Sequence, residues 1–471
     1  MKIYNTYSKE REEFIPLEPG KVKMYTCGMT VYSFTHIGHL RSYLTSDVLR
    51  RYLEFSGYNV KQVMNVTDVG HLQSDADEGE DKLEVKARLE SVSPWEIARK
   101  YEKEFFRNIG EFNIRPPSVI ARATDHIPEM VKLIIDLENN GFTYNTDVGV
   151  IFDTSKFAKY PDFARLVLKD QMAGARVNID AQRKNPWDFA LWVVNKPNHI
   201  MKWNSPWGVG YPGWHIECSA ICIKYLGNQI DIHTGGEDHI PIHHTNEIAQ
   251  TESYTGKKMA SIWVHTSFLK VDGVKMSKSL NNLYTLDDLR SKGFSPLALR
   301  YMLLNSDYHK SFDFTWAALY NSQNELIKLW TFFASQPQTQ EGKILDKYMQ
   351  KFKAILDDGQ NTPSAISVLW ELINSKEDVK DIVITALEFD KVFALDFINA
   401  AYHMMNLEIL QGMKAEDKQT ANLLLAKREK ARREKRYGAA DQLRKEIEDL
   451  GFVINDGIHG STLMLKSYGI L

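Results

Sequence analysis

Cysteine is scarce in this chain: three residues, Cys27, Cys218 and Cys222, among 471. That excludes a disulfide framework and fits a reducing compartment. No run of about 18 apolar residues occurs, so no membrane span is expected. The opening MKIYNTYSKEREEF carries charge where a secretory signal needs an apolar core. Together these absences predict a cytoplasmic protein. Charge of one sign is also lacking: the formal net charge is -3, so bulk composition does not announce a nucleic-acid binder, and local charge must do so if anything does. Internal repeats and low-complexity tracts are missing as well.

What is present is an ordinary globular composition, 43% hydrophobic and 25% charged, long enough for several domains without staples. KVKMYTCGMTVY is rich in β-branched and aromatic residues and reads as a strand. Leu40, Leu44, Val48 and Tyr52 then recur at i+4, an apolar helical stripe that Gly57 ends. YNVKQVMNVTD returns to a strand pattern. Strand, helix, strand is most simply a right-handed βαβ unit with parallel strands. The fold class expected is α/β, a Rossmann-like parallel-sheet catalytic domain split by an insertion. An α-helical bundle and a small C-terminal domain follow it. The expected boundaries are 1–114 for the first catalytic half, 115–202 for the insertion and 203–286 for the second half. The bundle takes 287–414 and a basic C-terminal domain 415–471.

Two short motifs carry chemistry. His36-Ile37-Gly38-His39 falls where the first strand hands over to its helix, the place where parallel sheets bind ligands. Unpaired backbone N–H groups and the helix dipole there favour an anion, and Gly38 lets a nucleotide approach closely. Two histidines so spaced also suit a plain helix start or half of a metal site. Lys275-Met276-Ser277-Lys278-Ser279 follows Asp272-Gly273, a tight-hairpin signal. Its two lysines could close over phosphates, or could simply be a solvated loop.

Further along, His243 and Glu247 stand at i, i+4 and share a face if their segment is helical. With Cys27 and Cys218 they supply two thiols, an imidazole and a carboxylate, all zinc-ligand types. Their wide spacing fits buried free thiols and a satisfied histidine equally well. Cys222, i+4 from Cys218, reads as packing. In the tail, nine basic and three acidic residues lie between Lys427 and Lys445, with Ala439, Ala440, Leu443 and Ile447 as an apolar face. Such a helix suits a phosphate backbone, or is a solvated mixed-charge helix.

The pairing of HIGH on the first βαβ unit with KMSKS far downstream resembles class I aminoacyl-tRNA synthetases. CGMTVYSFTHIGH, NVTDV, RKNPWDFALW, GYPGWHIECSA and HHTNEIAQ resemble the cysteinyl-tRNA synthetase family within them, densely from about residue 20 to 330. The resemblance implies activation of L-cysteine on ATP, with Mg2+, and transfer to tRNA(Cys). It implies that His36, His39, Lys275 and Lys278 are catalytic, and that Gly38, Met276 and Ser277 join them around ATP. It implies one Zn2+ on Cys27, Cys218, His243 and Glu247, and a cysteine pocket of Cys27, Thr67, Trp214 and Asp238. Zinc prefers a soft thiolate, which separates cysteine from serine better than shape alone. A monomer is expected, its tail reading the anticodon. The sequence departs from the family pattern at Thr234, His239 and Thr245, so His239 and His244 stand as alternative ligands. The rival acceptor is a glucosamine-inositol; the rival class is a non-catalytic, synthetase-like RNA-binding protein.

Overall fold

The computed structural model describes residues 1–69, 81–165, 183–195, 199–277, 280, 282–336, 341–410, 414–457 and 460–465. The chain divides into two compact units. The first comprises Met1–Thr35, Thr45–Gly110 and Arg115–Ser267; the second comprises His36–Leu44, Glu111–Ile114 and Phe268–Leu471.

The first unit opens with an antiparallel ribbon, β1 (Lys2–Asn5) and β2 (Glu10–Glu13). Then come β3 (Lys21–Thr26), α1 (Ile37–Phe55) and β4 (Asn59–Val66), the expected βαβ unit. β3 and β4 pair in parallel, Lys21 opposite Asn59 and Thr26 opposite Met64. α2 (Lys82–Glu90) and α3 (Pro94–Glu111) lead to β5 (Val119–Arg122), which pairs in parallel with β4. β5 lies inside the stretch expected as an insertion, yet it extends the central sheet. Four residues just past Pro116-Pro117 are too few to show alternation.

After α4 (Ile127–Asn139), the strands β6 (Thr143–Thr146), β7 (Gly149–Phe152), β8 (Phe189–Val194) and β9 (Gly210–Pro212) form a separate antiparallel sheet in that order. α5 (Trp214–Leu226), β10 (Ile230–Gly236), α6 (Thr245–Thr255) and β11 (Ala260–Thr266) return the chain to the central sheet. Its order is β11-β10-β3-β4-β5, all parallel. Six of the seven β10 residues are buried, as expected of a parallel strand covered on both faces. Tyr25, Val63, Ala121, Ile230 and Trp263 from the strands pack with Ile221 and Leu226 of α5 and Ile248 of α6.

In the second unit, β12 (Leu269–Val271) and β13 (Val274–Lys275) form the expected hairpin. Asp272 and Gly273 turn it at φ 48° and 76°, left-handed values that glycine adopts without strain. α7 (Leu286–Ser291) and α8 (Pro296–Leu304) precede β14 (Phe312–Phe314), which pairs in parallel with β12. This strand interrupts a region read from sequence as helical. α9 (Trp316–Ala334), α10 (Asp346–Asp357), α11 (Thr362–Ile373), α12 (Val379–Phe393) and α13 (Ala400–Leu410) follow. The end holds α14 (Ala415–Arg433), α15 (Tyr437–Asp449) and a hairpin of β15 (Phe452–Gly457) and β16 (Gly460–Leu465). Ile327 of α9 and Leu407 of α13 share a core with Ala421, Ile447, Phe452 and Ile454.

Candidate metal centre and phosphate motif

Cys27 immediately follows β3, where its N–H donates to the Thr234 carbonyl of β10 at 3.2 Å. The chain turns away through Gly28, whose N–H donates to Asn65 Oδ1 at 2.7 Å. A Cβ there would stand 1.6 Å from the Asn65 carbonyl oxygen, so only glycine lets the two strand ends come this close. Cys218 sits in the second turn of α5. His243 lies in a π-helical turn, Ile240–His244, that runs into α6, and Glu247 lies in the first turn of α6. The wide turn lets His243, His244 and Glu247 all be buried.

These elements bring Cys27, Cys218, His243 and Glu247 together, their ligand atoms all within 4.8 Å of one another. All four are buried, Glu247 completely. His243 Nε2 lies 2.9 Å from Glu247 Oε1, and Cys27 Sγ lies 3.5 Å from the same oxygen. A zinc tetrahedron with arms of about 2.0–2.3 Å has edges of roughly 3.3–3.8 Å, so small movements would close these donors on one ion. Two thiols, an imidazole and a carboxylate suit zinc chemically. His243 Nδ1 is held at 3.0 Å by His215 Nδ1, which aims Nε2 into the cluster.

The four donors shift one another's ionisation strongly. Burial pushes Glu247 up, but His233 and His243 overcome it and hold the carboxyl well below its usual range. Burial pushes Cys218 up too, yet hydrogen bonds from Cys27 and His243 bring it down to about 6. His243 is lowered by burial and raised more by Cys218 and Glu247, to about 10. Cys27 is raised, first by burial and then by Cys218. Without a cation, negative charge concentrates in a buried place and imidazole must answer it.

Trp214 starts α5 with its ring 4.3 Å from that of His243. Thr67 follows β4 and donates to Glu217 Oε2 at 2.8 Å, while Asn65 Nδ2 donates to Thr67 Oγ1 at 3.1 Å. Asp238 is exposed in a 3-10 turn, Glu237–His239, apart from the buried donors. His239 lies tilted to His243 and edge-on to His244, ring centroids 5.1 and 5.0 Å away, but joins neither group of metal-competent donors among the described residues. His244 does join one, with Cys27, His233 and Glu247.

The phosphate motif belongs to the second unit. His36 and His39 stand at the start of α1 with rings stacked at 3.4 Å. The His36 N–H donates to His39 Nδ1 at 3.4 Å, and the His39 N–H donates to His36 Nδ1 at 3.3 Å. Each imidazole thus accepts a helix-start amide, which places its proton on Nε2 when neutral. The Ile37 N–H donates to the Tyr284 carbonyl, and His36 bridges to Thr285. Arg41, one turn on, donates to the carbonyls of Phe268, Asp307 and Lys310 at 2.6–3.0 Å. These bonds bind the helix start to the hairpin region of the same unit. A side chain at Gly38 would come within 3.4 Å of the Met276 sulfur, so the two motifs are neighbours. Lys275 Nζ lies over the Phe268 ring, 5.0 Å from its centroid. The Ser277 N–H donates to Asn282 Oδ1 at 2.8 Å. Lys278 and Ser279 lie outside the described residues.

Sequence reasoning passed over His215, His233, His265 and Glu217, which all crowd the centre. One signal was available: six of the fourteen histidines fall between positions 215 and 265.

Among solved structures, the chain is similar to a methionyl-tRNA synthetase of Mycobacterium tuberculosis in complex with methionyl-adenylate. The TM-score is 0.54 at 16% identity, over 81% of this chain and 91% of that one. A LeuRS of Agrobacterium radiobacter in a ternary complex gives 0.58 at 12% identity, over 86% of each chain. The model of the tRNA synthetases class I (C) catalytic domain matches residues 13–324, which with these likenesses defines a class I aminoacyl-tRNA synthetase. The model of the cysteinyl-tRNA ligase anticodon binding domain matches residues 417–460. Cysteine–tRNA ligase of Treponema denticola is 39% identical, over 97% of this chain and 98% of its own. Cysteine–tRNA ligase 1 of Burkholderia lata is 40% identical, over 100% and 98%. The chain belongs to the cysteine–tRNA ligase family, enzymes that aminoacylate tRNA with cysteine. No helix among the described residues is long and apolar enough to cross a membrane.

Proposed function

We propose that the enzyme activates L-cysteine with ATP and transfers it to tRNA(Cys), and that Cys27, Cys218, His243 and Glu247 hold the zinc ion that selects the substrate. The buried two-thiol, imidazole and carboxylate cluster carries this reading. Bound there, zinc supplies a soft Lewis acid that favours an ionised thiol over the neutral hydroxyl of serine. Trp214 and Thr67 line the pocket beside it, and the Asp238 carboxylate accepts from the substrate ammonium group.

In the first step a cysteine carboxylate oxygen attacks the α-phosphorus of ATP, forming the P–O bond of the adenylate as the bond to pyrophosphate breaks; Mg2+ bound with ATP would offset the phosphate charge. The neutral imidazoles of His36 and His39 donate Nε2–H to phosphate oxygens as charge grows there. Gly38 admits the nucleotide to the helix start, Met276 and Ser277 pack beside it, and Lys275 and Lys278 neutralise the leaving pyrophosphate. In the second step a ribose hydroxyl at the tRNA end attacks the acyl carbon and AMP leaves. Positioning and charge stabilisation carry most of both barriers. The segment 415–471 holds the anticodon. The match over residues 417–460 favours tRNA over a glucosamine-inositol acceptor and favours an enzyme over a non-catalytic RNA binder.

Cysteine-dependent pyrophosphate exchange, charging of tRNA(Cys) and zinc content of the purified protein test the reading together. Exchange with cysteine, no exchange with serine and one zinc per chain are expected. Metal-free protein that still rejects serine would overturn the zinc role.

A further inference from the structure

We infer that the metal centre accepts a divalent cation in a second, overlapping position, ligated by Cys27, His233, His244 and Glu247. The inference rests on the reading that Cys27, Cys218, His243 and Glu247 hold a metal, and adds a second coordination to it.

The second set meets the same geometric standard as the first. Its four ligand atoms lie within 4.8 Å of one another, and all four residues are buried. Cys27 Sγ stands 3.2 Å from His244 Nε2, and His233 Nε2 stands 2.9 Å from Glu247 Oε2. Those separations approach the roughly 3.3–3.8 Å edges of a tetrahedral zinc site.

Cys27 and Glu247 belong to both sets, and both Glu247 oxygens face donors: Oε1 also lies 3.5 Å from Cys27 Sγ and 3.9 Å from His244 Nε2. Oε1 faces His243 Nε2 and Oε2 faces His233 Nε2, each at 2.9 Å. A carboxylate so placed can turn from one ion position to the other without leaving the centre. The outer partners are also in place. His244 Nδ1 is held at 2.7 Å by His265 Nε2, and His265 Nδ1 meets Thr6 Oγ1 at 2.9 Å. A ligating histidine needs such a partner on its other nitrogen. The His233 ring is fixed by stacking on Trp263, 4.4 Å between centroids.

The two positions differ in chemistry. The first offers two thiols and is the softer; the second offers one thiol, two imidazoles and a carboxylate, a set for borderline divalent cations such as Zn2+ or Co2+. Sharing two ligands, the positions can hold only one fully ligated ion at a time. An ion in the second position leaves Cys218 and His243 open.

The test uses full-length protein stripped by a chelator and titrated with Co2+, followed by thiolate-to-cobalt charge-transfer absorption. The double variant Cys218→Ser/His243→Gln is expected to bind one equivalent with about half the wild-type charge-transfer intensity, because one thiolate replaces two. Adding His233→Gln to it should weaken Co2+ binding at least about tenfold, against less than about threefold when His233→Gln is made in the wild type. A folded double variant that binds no Co2+ overturns the inference, as does an equal cost of His233→Gln in both backgrounds. If circular dichroism shows the double variant unfolded, Cys218→Ser with and without His233→Gln gives the same comparison. Wild-type protein that takes up no Co2+ would instead sink the zinc reading itself.

Discussion

The metal centre and the phosphate motif are built in opposite ways. The centre is sunk in the first unit, with Cys27 just past β3, His233 within β10 and the other donors on α5, the π-helical turn and α6, each ring held by a neighbour. The phosphate motif is shallower. Its histidines hold one another at a helix start, and Lys275 stands exposed at the end of a two-residue strand. On the proposed reading, the difference follows from what each would recognise. Telling a thiol from a hydroxyl requires donors fixed to fractions of an ångström in a dry place. Triphosphate carries charge on many oxygens, so rotatable N–H donors near its path suffice.

The comparison breaks most visibly at Cys218. Cys218→Ser should weaken zinc binding in a metal titration, any ion retained resting on Cys27, His233, His244 and Glu247, and reduce cysteine-over-serine discrimination to roughly the 10–200-fold of an ordinary pocket. Zinc retained with selectivity intact would remove Cys218 from the centre. Next comes Lys278→Ala, which should slow pyrophosphate exchange at saturating cysteine on the order of 10²–10³-fold while cysteine binding by calorimetry barely changes. Equal losses in both would deny it a phosphate role.

A smaller effect is expected from Lys427, Lys430 and Arg433, exposed on α14. Replacing all three by alanine should leave exchange untouched, weaken tRNA binding, and lower the slope of log affinity against log salt by about one for each phosphate no longer neutralised. An unchanged slope would separate this face from RNA. The smallest is Arg41→Lys. An ammonium cannot span the three carbonyls that the guanidinium reaches, so thermal or denaturant unfolding should show a loss on the order of 1–3 kcal/mol. Zinc content should not move; if it falls, the two regions are not as independent as their construction indicates.

Much of this was legible in the sequence. The period change from KVKMYT to Leu40, Leu44, Val48 and Tyr52 announced the parallel unit, and Asp272-Gly273 announced the hairpin of β12 and β13. Residues joined by short-range pattern were readable because the pattern is local. β5 and β14 were not, since strands of four and three residues are too short to alternate and take their partners from distant sequence. The four donors Cys27, Cys218, His243 and Glu247 came from family resemblance, because spacing alone fitted ordinary burial as well. His233 was invisible for a related reason. It reads as one residue of a buried strand, and only the folded structure sets it against Glu247 of α6.

The π-helical turn at Ile240–His244 carries a lesson for anyone redesigning this enzyme. Such a turn holds one residue more than a regular helix needs. Deleting Ile240, Pro241 or Ile242 would tidy the backbone, yet it would rotate His243, His244 and Glu247 together by about 100° relative to β10, since each α-helical residue turns by that angle. No point substitution could restore their direction. On the proposed reading, selectivity for a sulfur atom would depend on the length of this segment as well as on its side chains.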